Sequence, residues 1–324
     1  MKLVAGLLVA GVVLLFGQGG AHAADPYPAR PVKIVVTYPA GGTSDLIARL
    51  CAQILTDKLG KSFVVENRAG GGGNIGADYV AKSPPDGYTL LEGTFGPVTT
   101  ATALSPNLPY APAKDFAPII VVADVANIVI VNPGLPAKSI PELIALSTAR
   151  PGKLNMAIAS LGGTPHLLAE MWKQKAGIDF AIIPYKGTSP ALTDLISGQV
   201  DIDIEALPAV LPFVKSGKVR ALAVAGNARV SQMPDLPTMA EVGYPDVAIS
   251  AWHGLLAPAG TPKEIVQLIN RTLATEFRTP AMREKLRELG ADVVANTPEE
   301  MEAFLRAETA RWAELIARVK IKID

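Results

Sequence analysis

The sequence predicts an α/β chain of two lobes, each a mostly parallel sheet flanked by helices. Three observations lead there. The 324 residues exceed what one ordinary core organises. From Val32 onward, β-branched apolar runs alternate with segments of helical period, the order that builds parallel sheets covered on both faces. After Trp252–Leu256 that alternation gives way to helices.

In chain order, strands are predicted at Val32–Thr37, Phe63–Glu66, Tyr88–Leu91, Ile119–Ala123 and Ile128–Val131, with helices at Ser44–Lys58 and Asn74–Lys82. Ser139-Ile-Pro-Glu142 is a capping box that opens the next helix. Strands Asn155–Ala159, Ala181–Pro184, Asp201–Ile204 and Ala221–Val224 then alternate with helices Pro165–Ala176, Ser189–Ser197 and Pro208–Ser216. Helices Pro262–Arg278 and Pro280–Leu289 follow, and a last one opens at Thr297-Pro-Glu-Glu300, a second capping box with proline at the first helical position. Its Phe304, Trp312, Leu315, Ile316 and Val319 read as a packing face completing the first lobe. The predicted lobes are 24–126 with 250–324, and 127–249.

The N-terminus reads as a signal peptide over residues 1–23: Met1-Lys2, an apolar run Leu3–Phe16, and Ala21-His22-Ala23 before the cut. The run is shorter than the roughly 20 residues a membrane span needs. Without Lys2, 29 of the 30 basic residues face 30 acidic ones, a net charge near −1. That balance argues against nucleic-acid binding. Cys51 stands alone, so no intramolecular disulfide forms, and it falls on an apolar helix side. The mature chain keeps His166 and His253, too few and too far apart for a histidine-rich metal site. No metal or cofactor is predicted.

Two loops stand out. Tyr38-Pro-Ala40-Gly41-Gly42-Thr43-Ser44-Asp45 joins a strand to a helix; its glycines allow a close backbone path and Thr43 or Ser44 is placed to cap. First-turn N–H groups that lack internal partners, together with the helix dipole, make such a turn an anion receptor. Ser160-Leu161-Gly162-Gly163-Thr164-Pro165-His166 repeats the construction in the second half, with His166 either touching a ligand carboxylate or serving the loop. Facing each other across a cleft, the two helix starts suit a molecule with two negative or polar ends. Hydrogen bonds to a charged group contribute roughly 1.5–3 kcal/mol each, so four or five supply micromolar binding without arginine.

Other motifs carry less. Gly71-Gly-Gly-Asn-Ile-Gly76 fits G-x-G-x-x-G, but Asn67-Arg68-Ala69 separate it from its strand, and a flexible or close-packed connection is the better reading. Asp201, Asp203 and Glu205 alternate along one strand, whose end, Ile204-Glu205-Ala206, is placed to line a cleft. There is no G-x-S-x-G elbow and no Walker loop.

Tyr38–Arg49, Glu66–Ala77, Pro184-Tyr-Lys-Gly187, Leu195–Asp201 and Ala257-Pro-Ala-Gly-Thr-Pro262 resemble, in order and over the mature chain, the Bug family of tripartite tricarboxylate receptors. The resemblance implies a two-lobed periplasmic binding protein of the Venus-flytrap, type II-like kind. It implies a monomer that closes on a small carboxylate and delivers it to a permease of one large and one small membrane subunit. It places the ligand against Tyr38–Asp45 and Ser160–His166, with Glu92–Gly96, including Thr94 and Phe95, and Glu205–Ala206 as further walls. Tyr38 stands where many relatives have Phe. Leu161 and Pro165 make the second loop less glycine- and hydroxyl-rich, which points to a more apolar ligand body such as an aromatic carboxylate. Two other readings stay open: a sensory subunit, or a secreted enzyme using Asp45, His166 or Glu205.

Overall fold

The computed structural model describes residues 27–226 and 228–319; the predicted signal peptide lies outside them. The apolar run Val32–Val36 forms β1, followed by helix α1 (Thr43–Leu59), β2 (Phe63–Asn67), a single tight turn at Gly71–Gly73, and α2 (Asn74–Ala81). Strand β3 (Thr89–Thr94) runs into a wide π-type turn, Gly96–Thr100, continued by short α3 (Ala101–Leu104). Then come α4 (Pro112–Asp115), the long β4 (Phe116–Val125) and β5 (Asn127–Val131).

The second half holds α5 (Ile140–Ala149), β6 (Asn155–Ile158), α6 (Thr164–Ala176), β7 (Ala181–Pro184), α7 (Thr188–Ser197), β8 (Ile202–Ala206), α8 (Leu207–Lys215) and β9 (Arg220–Ala225). The chain closes with β10 (Ala251–Pro258), α9 (Lys263–Phe277), α10 (Pro280–Leu289), β11 (Ala291–Val293) and α11 (Pro298–Val319). The box at Thr297 forms in full, whereas at Ser139 only the serine half does, Glu142 Oε2 accepting from Lys138 N at 2.7 Å instead. Ser139 Oγ accepts from Glu142 N at 3.3 Å, and Thr297 and Glu300 exchange bonds of 2.8 and 3.2 Å.

Two sheets result, ordered β11-β4-β10-β3-β1-β2 and β7-β6-β8-β5-β9. They are mixed rather than mostly parallel. β1 pairs in parallel with β2 and β3, and β6 with β7 and β8, as the alternation requires. However, β5 runs antiparallel to β8 and β9, and β10 antiparallel to β3 and β4. These are the first strands after the chain changes sheets: β5 enters the second sheet one residue after β4, and β10 returns. A strand arriving from the other sheet enters from the cleft side and so runs against its neighbours, a direction periodicity does not encode.

Each sheet is covered by helices. Trp312 of α11 is buried and meets Phe95 edge-on at 5.1 Å, so the last helix does pack on the first lobe. Cys51 is fully buried within α1, and burial pushes its thiol pKa up, leaving it inert.

Candidate functional site

Strand ends and helix starts meet between the two sheets, where ligands bind in open α/β sheets. The cleft encloses about 640 Å³ of empty space, part of it open to solvent. It is lined by the starts of α1 (Gly42, Thr43, Ser44), of the π turn (Phe95, Gly96), of α6 (Gly163, Thr164, Pro165), of α7 (Gly187, Thr188) and by Ala206 just before α8. No side-chain oxygen caps any of these starts. Thr43 is the first residue of α1 and Gly42 its cap, so neither Thr43 nor Ser44 caps it as predicted. The positive ends of several helices therefore converge, with first-turn N–H groups free of side-chain caps.

The two loops meet across the cleft. Ser160 Oγ donates to Tyr38 Oη at 3.3 Å, and Tyr38 Oη donates to Gly72 O at 3.3 Å. Thr100 Oγ1 donates to Gly162 O at 2.7 Å, and Ser189 Oγ to Ala40 O at 3.2 Å. The extra hydroxyl of Tyr38 thus serves to link the lobes.

Four polar atoms of lining residues are buried without a partner: Thr43 Oγ1, Thr94 Oγ1, Glu205 Oε1 and His253 Nε2. Orphaned buried polar groups are rare because each costs about 1–3 kcal/mol. His253 is held from behind, its Nδ1 2.8 Å from Glu92 Oε1. Glu92 is buried in β3 and is not a wall of the cleft. Burial raises its pKa and the His253 contact opposes the rise.

Other predicted residues stand behind the surface. Asp45 accepts from Gly41 N, Arg49 Nε and Asn67 Nδ2 at 3.2, 2.9 and 3.1 Å. Burial opposes its ionisation, but these donors outweigh it and keep the pKa below the ordinary aspartate value. Asp45 therefore braces the first loop. His166 Nδ1 accepts from Gly162 N at 3.1 Å and so ties the second loop. Burial drops its pKa to about 4, so the ring is neutral at pH 7. Ala40, Gly41, Leu161 and Gly162 shape the loops without lining the cleft, whereas Ser160 lines it.

Asn127, Ala159, Gly187, Thr188, Ala251 and His253 line it beyond the predicted segments, and Pro39 lines it from within the first loop. Pro184-Tyr-Lys-Gly187 and His253 were visible as a motif and a lone histidine. Asn127 carries no local signal; it arrives because β5 pairs with β8. Among the described residues, the lining includes no lysine or arginine.

The architecture is that of a two-lobed binding protein, and comparison with known proteins identifies the kind. The sequence pattern of the tripartite tricarboxylate transporter family receptor matches residues 47–321. Protein BugT of Bordetella pertussis is 40% identical, over 98% of both chains. Among solved structures, the R. palustris protein Rpa4515 with adipate superposes with TM-score 0.89 at 40% identity, covering 91% of this chain and 99% of the other. The periplasmic binding protein BugD superposes with TM-score 0.87 at 38% identity, covering 91% and 99%. MatC from Rhodopseudomonas palustris with bound malate gives 0.85 at 32%, covering 90% and 100%.

The chain belongs to this family of periplasmic solute-binding receptors, which bind small molecules and are not enzymes.

Proposed function

We propose that the chain is exported, loses residues 1–23, and captures a small carboxylate between lobes 24–126 with 250–324 and 127–249. It then delivers that acid, as a monomer, to a permease of one large and one small membrane subunit. The observation that carries the reading is the convergence of uncapped helix starts on orphaned hydroxyls with no lining cation among the described residues. Such a site stabilises an anion through backbone dipoles. Pro39, Phe95, Ala159, Pro165 and Ala251 give part of the cleft an apolar surface, which suits an acid with a hydrocarbon body. The adipate and malate bound by the two relatives support the same class. Among the described residues no helix is long and apolar enough to cross a membrane.

A thermal-shift screen of purified mature protein against aliphatic, hydroxy- and aromatic mono- and dicarboxylates tests the proposal. At 100 times its Kd, a true ligand adds about 2.7 kcal/mol of stability. A screen in which no acid raises Tm while an uncharged or cationic solute does would overturn it.

A further inference from the structure

The second lobe brings one acid to the cleft, with a second buried beside it and no cation to neutralise either. Asp203 and Glu205 share one face of β8 and are 0% and 3% exposed. Both Asp203 oxygens and Glu205 Oε1 are buried without partners. Glu205 Oε2 accepts from Thr188 Oγ1 at 3.1 Å and from Ala206 N at 3.3 Å. The titratable groups facing the pair are few. They are Tyr185 beside Asp203, Tyr38 from the first loop, and His253 on the first-lobe wall of the cleft with Glu92 buried behind it.

Two ionised carboxylates with no cation beside them are disfavoured in such a place, and a ligand carboxylate would add a third negative charge. The donors at Oε2 mark it as the carbonyl-like oxygen and leave Oε1 to carry a proton. Both groups titrate accordingly. Burial raises the Glu205 pKa to about 7, and burial followed by the Glu205 charge raises that of Asp203 well above its ordinary value.

We propose that Glu205 is a specificity-determining residue of the site: as a neutral acid it donates a hydrogen bond from Oε1 to a carboxylate oxygen of the ligand. The α1 and α6 starts take the other end of the ligand. This rests on the carboxylate reading above and adds a consequence to it. Above neutral pH, capture of a dicarboxylate takes up a proton from solvent, because the ionised Glu205 must be protonated before the bond forms. The receptor then favours acids with an acceptor oxygen at the far end over those ending in an ammonium group.

Isothermal titration of the mature protein with adipate and with malate from pH 6.5 to 8.5 tests this, since both probes are dianions over most of that range. For whichever acid binds, affinity falls on the order of 10- to 30-fold across the range, the drop set by a group titrating near 7. Heats measured in buffers of different ionisation enthalpy show proton uptake at the alkaline end.

Glu205→Gln keeps an N–H donor near Oε1 and flattens the profile, whereas Glu205→Leu weakens binding at every pH. Tm of each variant without ligand separates these effects from misfolding. A flat or inverted profile in the wild type overturns the proposal, as does a slope that persists in Glu205→Gln and therefore belongs to His253 or Glu92. If neither acid binds to any variant at any pH, both this inference and the dicarboxylate reading fall. If an acid binds without the profile, only this one does.

Discussion

Gly72 is a point where closure of the two lobes is open to a single-atom perturbation of the backbone contact. It lies in the run Gly70–Gly73, each residue of which has positive φ, and its own φ is +66°. A Cβ added there would lie 2.6 Å from the Leu161 carbonyl oxygen, on the loop of the other lobe. Gly72→Ala therefore has two costs. The left-handed backbone costs about 1–2 kcal/mol in any state. The clash exists only with the lobes together, and overpacking of this kind costs about 1–3 kcal/mol.

Gly71 provides the control, because its φ is +57° and its Cβ would meet only Ile75 Cγ1 and Asn74 Cβ, at 3.7 and 3.9 Å. Gly71→Ala imposes the same backbone cost without the clash. Both variants lower the Tm of the ligand-free protein by a few degrees. Only Gly72→Ala weakens the affinity for the acid found by thermal shift, by about 5- to 150-fold, from 1–3 kcal/mol at 1.36 kcal/mol per decade. Calorimetric Kd values for both variants decide the matter. Equal affinities would refute the assignment of Gly72 as a closure contact.

Two more outcomes follow from named contacts. Thr100→Val removes the 2.7 Å bond to Gly162 O across the cleft, which at about 1 kcal/mol weakens ligand binding roughly fivefold and leaves the ligand-free Tm nearly unchanged; stopped-flow binding shows the loss as faster release. The folded-state pKa of Glu205 is raised to about 7, so the stability it contributes is full below its unfolded value and is lost as pH rises through 7. Chemical denaturation of ligand-free protein at pH 5 and pH 8 then shows Glu205→Gln stabilised relative to wild type only at the higher pH, by about 1–3 kcal/mol.

Much of this protein is written locally in its chain. The alternation of β-branched runs with helical periods fixes most of the strands and helices, because side-chain spacing is a property of each segment alone. The hydroxyl caps at Ser139 and Thr297 form for the same reason. The two Gly-Gly loops are legible as helix starts because a close backbone path between strand and helix is a local property, whereas the expected Thr43 or Ser44 cap is not made.

Tertiary structure decides what depends on residues distant in sequence. The directions of β5 and β10 follow from where the chain crosses between sheets. The short β11 exists only because β4 offers it an edge. Thr188 and Asn127 reach the cleft through α7 and β5, while Asp45 and His166 turn away to brace their own loops. Glu205 looks in the sequence like one acid among three on a strand. In the fold it is the one that lines the cleft beside a buried Asp203 without a compensating cation. Burial and neighbouring charge set its protonation, and neither belongs to the residue itself.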